Sequence, residues 1–209
     1  MLALGRLASF VLFVLSLSLL SCAVPTPVLH GQNPSRSHVL AVRGYREGAG
    51  DAKVLLGAII DLKAKINTRA DAIAYITADA LVEAQAEIDS LVADIEFCSN
   101  AIASLKNLKI DARIGAAIAS HVLVIVRAIL KICLSLMTKF GVQVFLDLFA
   151  KLDLCLKILL RSLDVCMDGF LADLAKRLVE ADMNALAGVK LIVCHDLLVL
   201  VRAAVGIVA

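Results

Sequence analysis

Between Leu81 and Leu105, apolar side chains fall at Leu81, Ala84, Ile88, Leu91, Ile95, Cys98, Ile102 and Leu105, alternating three and four residues without a slip. That period of 3.5 keeps one seam facing a partner along the length of a helix. Glu83, Glu87, Asp89, Asp94 and Glu96 fill much of the remainder. The stretch is therefore expected to be the spine against which later, more apolar helices pack. Only about three to four heptads are clean, which favours a core helix of a bundle over an intermolecular coiled coil.

The chain has 209 residues, enough for one domain with a sizeable core or at most two. Hydrophobic residues make up 61%, aromatics only 4%, and Trp is absent, so Leu, Ile, Val and Ala supply the apolar bulk. A net charge of +2 hides an asymmetry. Seven acids and no Lys or Arg lie between Ala70 and Leu105, whereas 13 bases and nine acids follow from Lys106 onward. An acidic spine against mildly basic later helices suits internal pairing. It is not a nucleic-acid footprint, which needs clustered Lys and Arg on one face, often with aromatics for stacking.

Residues 1–23 have the layout of a secretory signal. Arg6 is the positive start, Leu7 to Leu20 is an apolar run softened only by serines, and Ser21-Cys22-Ala23 offers small residues for cleavage after Ala23. The rivals are an uncleaved signal anchor and a lipobox at Leu19-Leu20-Ser21-Cys22, with the bulky Leu20 counting against the second. Residues 24–50 form an expected flexible linker, because all three prolines (Pro25, Pro27, Pro34) and four glycines lie there. Gly44 and Gly48 have helix-dimer spacing but a polar setting.

Residues 51–209 contain no proline and show no alternation of strand type. Asp51 is expected to cap a first helix, Ala52 to about Asn67. Thr68-Arg69-Ala70-Asp71 resembles a capping box that opens the spine, which runs to about Lys106. Asp111 caps a third helix to about Phe140, apolar nearly all round except for a stripe of Arg113, Ser120, Arg127, Lys131, Ser135 and Thr138. Gly141 ends it. A fourth helix, Val142 to about Asp168, carries an echo: Leu152-Asp153-Leu154-Cys155 recurs eleven residues later as Leu163-Asp164-Val165-Cys166, on the same face. Gly169 and Gly188 punctuate two shorter helices, about 170–187 and 189–206. The expected fold is all-α: an elongated antiparallel bundle of about six helices. Its four rods are the spine, the third helix, the fourth helix and the end-to-end fifth and sixth, with the first helix strapped across.

No later segment is expected to span a membrane. The longest charge-free run after the leader is Ile114 to Val126, and Arg127 and Lys131 would sit in mid-bilayer if it were extended. Charges at a helix centre cost roughly 2.5–3.5 kcal/mol each on the insertion scale, although hydropathy windows will flag the segment.

The chemistry-bearing residues do not form a catalytic pattern. His30 and His38 lie in the linker, and His121 near the polar stripe reads as a partly wet or satisfied core residue. Cys194-His195-Asp196 has the residue types of a nucleophile, base and orienter. Consecutive helical residues point about 100° apart, however, and do not face each other. Metal-ligand spacing, a phosphate loop and a nucleophile elbow are all missing, so no metal, cofactor or enzymatic activity is expected. Asp147, Asp153, Asp164 and Asp173 read as members of ion pairs on a wet face, with Lys151 and Lys157 four residues on.

Cleavage after Ala23 removes Cys22 and leaves Cys98, Cys133, Cys155, Cys166 and Cys194. Export places them where disulfides persist. Cys155 and Cys166 cannot pair with each other, because eleven helical residues separate them by about 16 Å and a bridge spans at most about 7 Å between Cα atoms. At least one bridge from the fourth helix to a neighbour is expected, with the odd cysteine a buried thiol or an intermolecular link. The alternative is that all five are small buried apolar residues.

Leu152-Asp153-Leu154-Cys155, Leu163-Asp164-Val165-Cys166, the run Leu171 to Leu178 and the run Val189 to Asp196 resemble small secreted proteins of filamentous basidiomycete fungi, over about residues 140–200. That resemblance implies a structural or surface-associated role at a cell wall, hyphal surface or host interface. The cysteines do not follow the eight-cysteine hydrophobin pattern. The chain is expected to be a secreted, non-enzymatic structural or interaction protein acting at a hydrophobic surface or by self-association. The alternatives are a lipid-binding carrier with the third helix lining a cavity, or a membrane-associated protein through an uncleaved signal or an apolar helix.

Overall fold

The computed structural model describes residues 49–105, 108 and 110–207. The leader and almost all of the expected linker lie outside these residues. Seven α-helices are described: α1 (Ala49–Tyr75), α2 (Leu81–Ala103), α3 (Ala112–Phe140), α4 (Leu146–Cys166), α5 (Phe170–Arg177), α6 (Glu180–Gly188) and α7 (Ile192–Ala204). A single 3-10 turn, Gln143–Phe145, precedes α4, and no strand occurs among the described residues. The protein is an all-α helical bundle. α1 packs on α2 and α3, and α2 packs on α4. The three short helices close the other side, with α5 touching α3, α4 and α7, and α7 touching α4 and α6.

The expected boundary between the first two helices is displaced. Thr68 does not cap a new helix. Its hydroxyl donates to the Ala64 carbonyl at 3.1 Å, the bond a threonine makes inside a helix. α1 therefore runs on to Tyr75 and is a full rod of about 40 Å, not a strap across the bundle. It stops where the Lys139 ammonium, at the end of α3, donates to the carbonyls of Ile73 (2.9 Å), Ala74 (3.0 Å) and Ile76 (2.8 Å). Those are the orphan acceptors of a helix C-terminus, and a cation there also opposes the negative end of the helix dipole.

α2 turns its seam inward. Ala84, Ile88, Leu91, Ile95 and Ile102 are fully buried, Cys98 is nearly so, and Leu81 and Leu105 pack at the margins. Two acids of α2, Glu87 and Asp94, are met by α1 and not by the later helices. Arg69 bonds Glu87 at 3.1 Å and Asp94 at 2.7 Å, and Lys65 lies 3.6 Å from Asp94. The nearest bases in space come from the helix before the spine, because α1 and α2 fold back on each other across five residues.

α3 begins as the sequence indicates: the Asp111 carboxylate accepts from the Arg113 N–H at 2.8 Å. It ends at Gly141, whose φ of 84° favours glycine. By length and composition α3 could cross a bilayer, and half of its most apolar stretch is buried in the bundle. At the corner leading into α4, Phe145 meets Phe140 in a tilted contact and stacks on Phe149, with ring centroids 5.7 and 5.6 Å apart.

The C-terminal part forms three helices where two are expected. The break falls at Leu178–Val179 because Asp182 starts a new helix. Its carboxylate accepts from the Val179 N–H at 3.1 Å and receives Arg127 of α3 in a forked pair, Nε at 3.1 Å and Nη2 at 2.9 Å. Burial pushes the Asp182 carboxyl up, but Arg127 and the Val179 N–H outweigh it and leave it below its ordinary value.

The aspartates of the α4 echo are not members of wet ion pairs. Asp153 is 2% exposed. Its two oxygens accept from the N–H groups of Val193 (2.7 Å) and Cys194 (2.9 Å), in the first turn of α7. Asp164 accepts from the Leu171 N–H at 3.0 Å, in the first turn of α5. Each repeat of the echo thus supplies the cap of a different helix. Asp173 does form the expected type of i,i+4 pair, with Arg177 at 3.0 Å.

Two tests follow from this packing. Ile95→Asp places an unpaired charge at a fully buried position and should abolish cooperative thermal unfolding, whereas Glu96→Lys on the exposed face should shift stability by no more than about 0.5 kcal/mol. Asp153→Ala should cost about 2 kcal/mol in urea denaturation, since it strands the buried Cys194 N–H and the part-buried Val193 N–H at the start of α7. Asp153→Asn keeps one acceptor oxygen and should lose less.

Candidate functional site

Among the described residues, no group of three or more His, Cys, Asp or Glu side chains is placed to hold a metal ion. The Cys194-His195-Asp196 run divides between two sides of α7. Cys194 is fully buried, and its thiol donates to the Asp153 carbonyl at 3.3 Å. His195 is half-buried on the other side. The expectation that neighbours do not face each other fails for one pair, because His195 Nδ1 lies 3.1 Å from Asp196 Oδ1. The thiol and the imidazole are nevertheless committed to different surroundings. His121 on α3 faces the Lys63 ammonium across 3.4 Å. Burial, and then that ammonium, hold its pKa below the ordinary value.

The expected disulfide from α4 to a neighbour is not formed. Cys98, Cys133, Cys155, Cys166 and Cys194 are all free and all buried. Besides Cys194, three of these thiols have a carbonyl partner in place of a sulfur. Cys155 donates to Leu152 at 3.2 Å, Cys166 to Leu105 at 3.0 Å, and Cys98 to Ala58 at 3.8 Å. Burial pushes the Cys98 thiol up to about 11 and the Cys155 thiol up to about 12. The pKa values of Cys133, Cys166 and Cys194 are raised by the same cause. Buried thiols that do not ionise behave as small apolar side chains.

Two surface features remain as candidates for binding. The first is a groove of about 440 Å³ along the outer face of α4. Leu154, Ile158 and Val165 stand in it 55%, 48% and 66% exposed. They are separated by four and seven residues and so share one face of the helix. Lys157 and Arg161 flank them. The second is a cavity of about 400 Å³ between α6 and α7, walled by Met183, Val199 and Ile207. Its polar members are Glu180, His195 and Arg202. Arg202 Nη2 lies 3.4 Å from Glu180, and Arg202 Nη1 is buried with no partner among the described residues.

Neither feature is prominent in the sequence. In the sequence, Arg202 is a single charge within the otherwise uncharged run from Leu197 to Ala209. The exposure of Leu154, Ile158 and Val165 was hidden because α4 is apolar on more than one side. The cavity between α6 and α7 is not lined by α3, whose apolar faces go into packing against α1, α5 and α6. Comparison with known proteins gives no match: no family model, no curated protein and no solved structure aligns significantly with this chain.

The buried thiols have a measurable consequence. At pH 8 the native protein should react slowly with a thiol reagent at all five positions, because raised pKa values leave almost no thiolate. After denaturation without reductant, five thiols should react if the leader with Cys22 has been removed, and six if it is retained. Fewer than five would show that bridges form.

Proposed function

We propose that the protein is a secreted, non-enzymatic interaction protein that works at a hydrophobic surface, with the outer face of α4 as its contact surface. The carrying observation is the stripe of Leu154, Ile158 and Val165, three large apolar side chains about half or more exposed along one helix face. Exposed apolar side chains aligned on one face, rather than scattered singly, are what partner and lipid surfaces use. Lys157 and Arg161 beside the stripe suit an anionic lipid surface, since cations next to buried apolar side chains add electrostatic attraction. Export is supported by Arg6, the apolar run Leu7 to Leu20 and the small residues before Val24. The resemblance to small secreted basidiomycete proteins points the same way.

The test is co-sedimentation of the full chain with vesicles of phosphatidylcholine and phosphatidylglycerol. Wild-type protein should pellet with anionic vesicles and be released by alkaline carbonate, whereas a protein spanning the bilayer through α3 would stay in the pellet. Ile158→Asp should abolish pelleting with unchanged circular dichroism, because Ile158 is on the surface. Equal pelleting of both proteins, or none with wild type, would overturn the proposal. A dimer in sedimentation velocity that Ile158→Asp dissociates would assign the same face to self-association.

A further inference from the structure

We infer that the cavity between α6 and α7 is a binding site for a single-headed anionic amphiphile, an aliphatic carboxylate held at its head by Arg202. The inference is independent of the surface role of α4. Arg202 is a permanent cation whose side chain is only 12% exposed. Its one ionic partner among the described residues, Glu180, is 59% exposed and sits at 3.4 Å, beyond a good charge-assisted hydrogen bond. Nη1 is buried and has no partner among the described residues. A buried donor without an acceptor is costly in a folded protein, and a guanidinium satisfies that deficit best with a planar two-oxygen anion.

The rest of the cavity selects what that anion is attached to. Met183 from α6, with Val199 and Ile207 from the end of the chain, line a space of about 400 Å³. That volume is within the range of small-ligand sites, which are mostly apolar with few polar groups. A single cation already shared with Glu180 favours one negative charge over a doubly charged phosphate head. An aliphatic chain matches the flexible and branched side chains of the walls. Glu180 then has a defined role: it competes with the ligand head for the guanidinium.

Calorimetric titration of the full chain with dodecanoate, below its micelle concentration, tests the assignment. Wild type should bind one equivalent, and dodecan-1-ol should bind about tenfold more weakly or worse, because it lacks the charge. Arg202→Gln should weaken dodecanoate binding by a similar factor. Glu180→Gln removes the competitor and should tighten binding. A merely structural ion pair would give no such gain, and since Glu180 is on the surface the variant keeps its fold even if Arg202→Gln does not. Ile158→Asp should leave the affinity unchanged, which separates this site from the α4 groove. The assignment is overturned if wild type shows no saturable binding, if the alcohol binds as tightly as the acid, or if Glu180→Gln weakens binding.

Discussion

The Asp153 carboxylate, buried in the bundle, holds the C-terminal half of the protein in place. A helix start leaves N–H donors without partners, and α7 begins against the bundle, with Leu191 and Cys194 fully buried. Asp153 answers two of those donors at once, 2.7 and 2.9 Å away, from the middle of another helix. The desolvation of the carboxylate is offset by these bonds and by the positive end of the α7 dipole. One echo later the half-buried Asp164 answers one donor of α5, the Leu171 N–H. α4 is thus a template on which two short helices are started. Neither needs much intrinsic stability, which helices of eight and 13 residues would not have alone.

The same logic shows what the sequence could and could not convey. The seam from Leu81 to Leu105 was legible because a period of 3.5 is a property of one helix, readable without knowing its neighbours. Asp111 and Gly141 were legible as helix ends because their partners lie within a turn of them. The end of α1 was not, because it depends on Lys139, more than sixty residues away. Thr68 and Asp71 have the residue types of a capping box, but the tertiary closure at Ile76 decides where the helix stops. Asp153 carried a signal that was passed over: Phe149, Leu156 and Leu160, at i−4, i+3 and i+7, are all core residues, which puts the aspartate on the buried face. Its partner on α7 was beyond reach from the sequence. The candidate sites were less visible still, since both depend on which apolar positions the bundle leaves uncovered.

Charge is used in this protein mostly to organise helix ends and helix pairs. Arg69 gathers two acids of α2, and Arg127 grips Asp182 and so fixes the start of α6 against α3. The five described cysteines take no part in such pairing and fill apolar space. Arg202 stands apart from the other arginines. It is nearly buried, yet its one carboxylate partner is a surface side chain at long range.

The reach of Lys139 across the bundle affects how the molecule opens. Isolated helices fray from their ends, and amide exchange with solvent is ordinarily fastest there. Here the last carbonyls of α1 are bonded to a side chain in the last turn of α3. α1 cannot unwind at that end without freeing the lysine, and α3 cannot unwind there without exposing the end of α1. Two termini that would each fray alone are joined into one opening event. Local loosening at that pole therefore requires the concerted release of both helices, and the boundary between them belongs to the cooperative core.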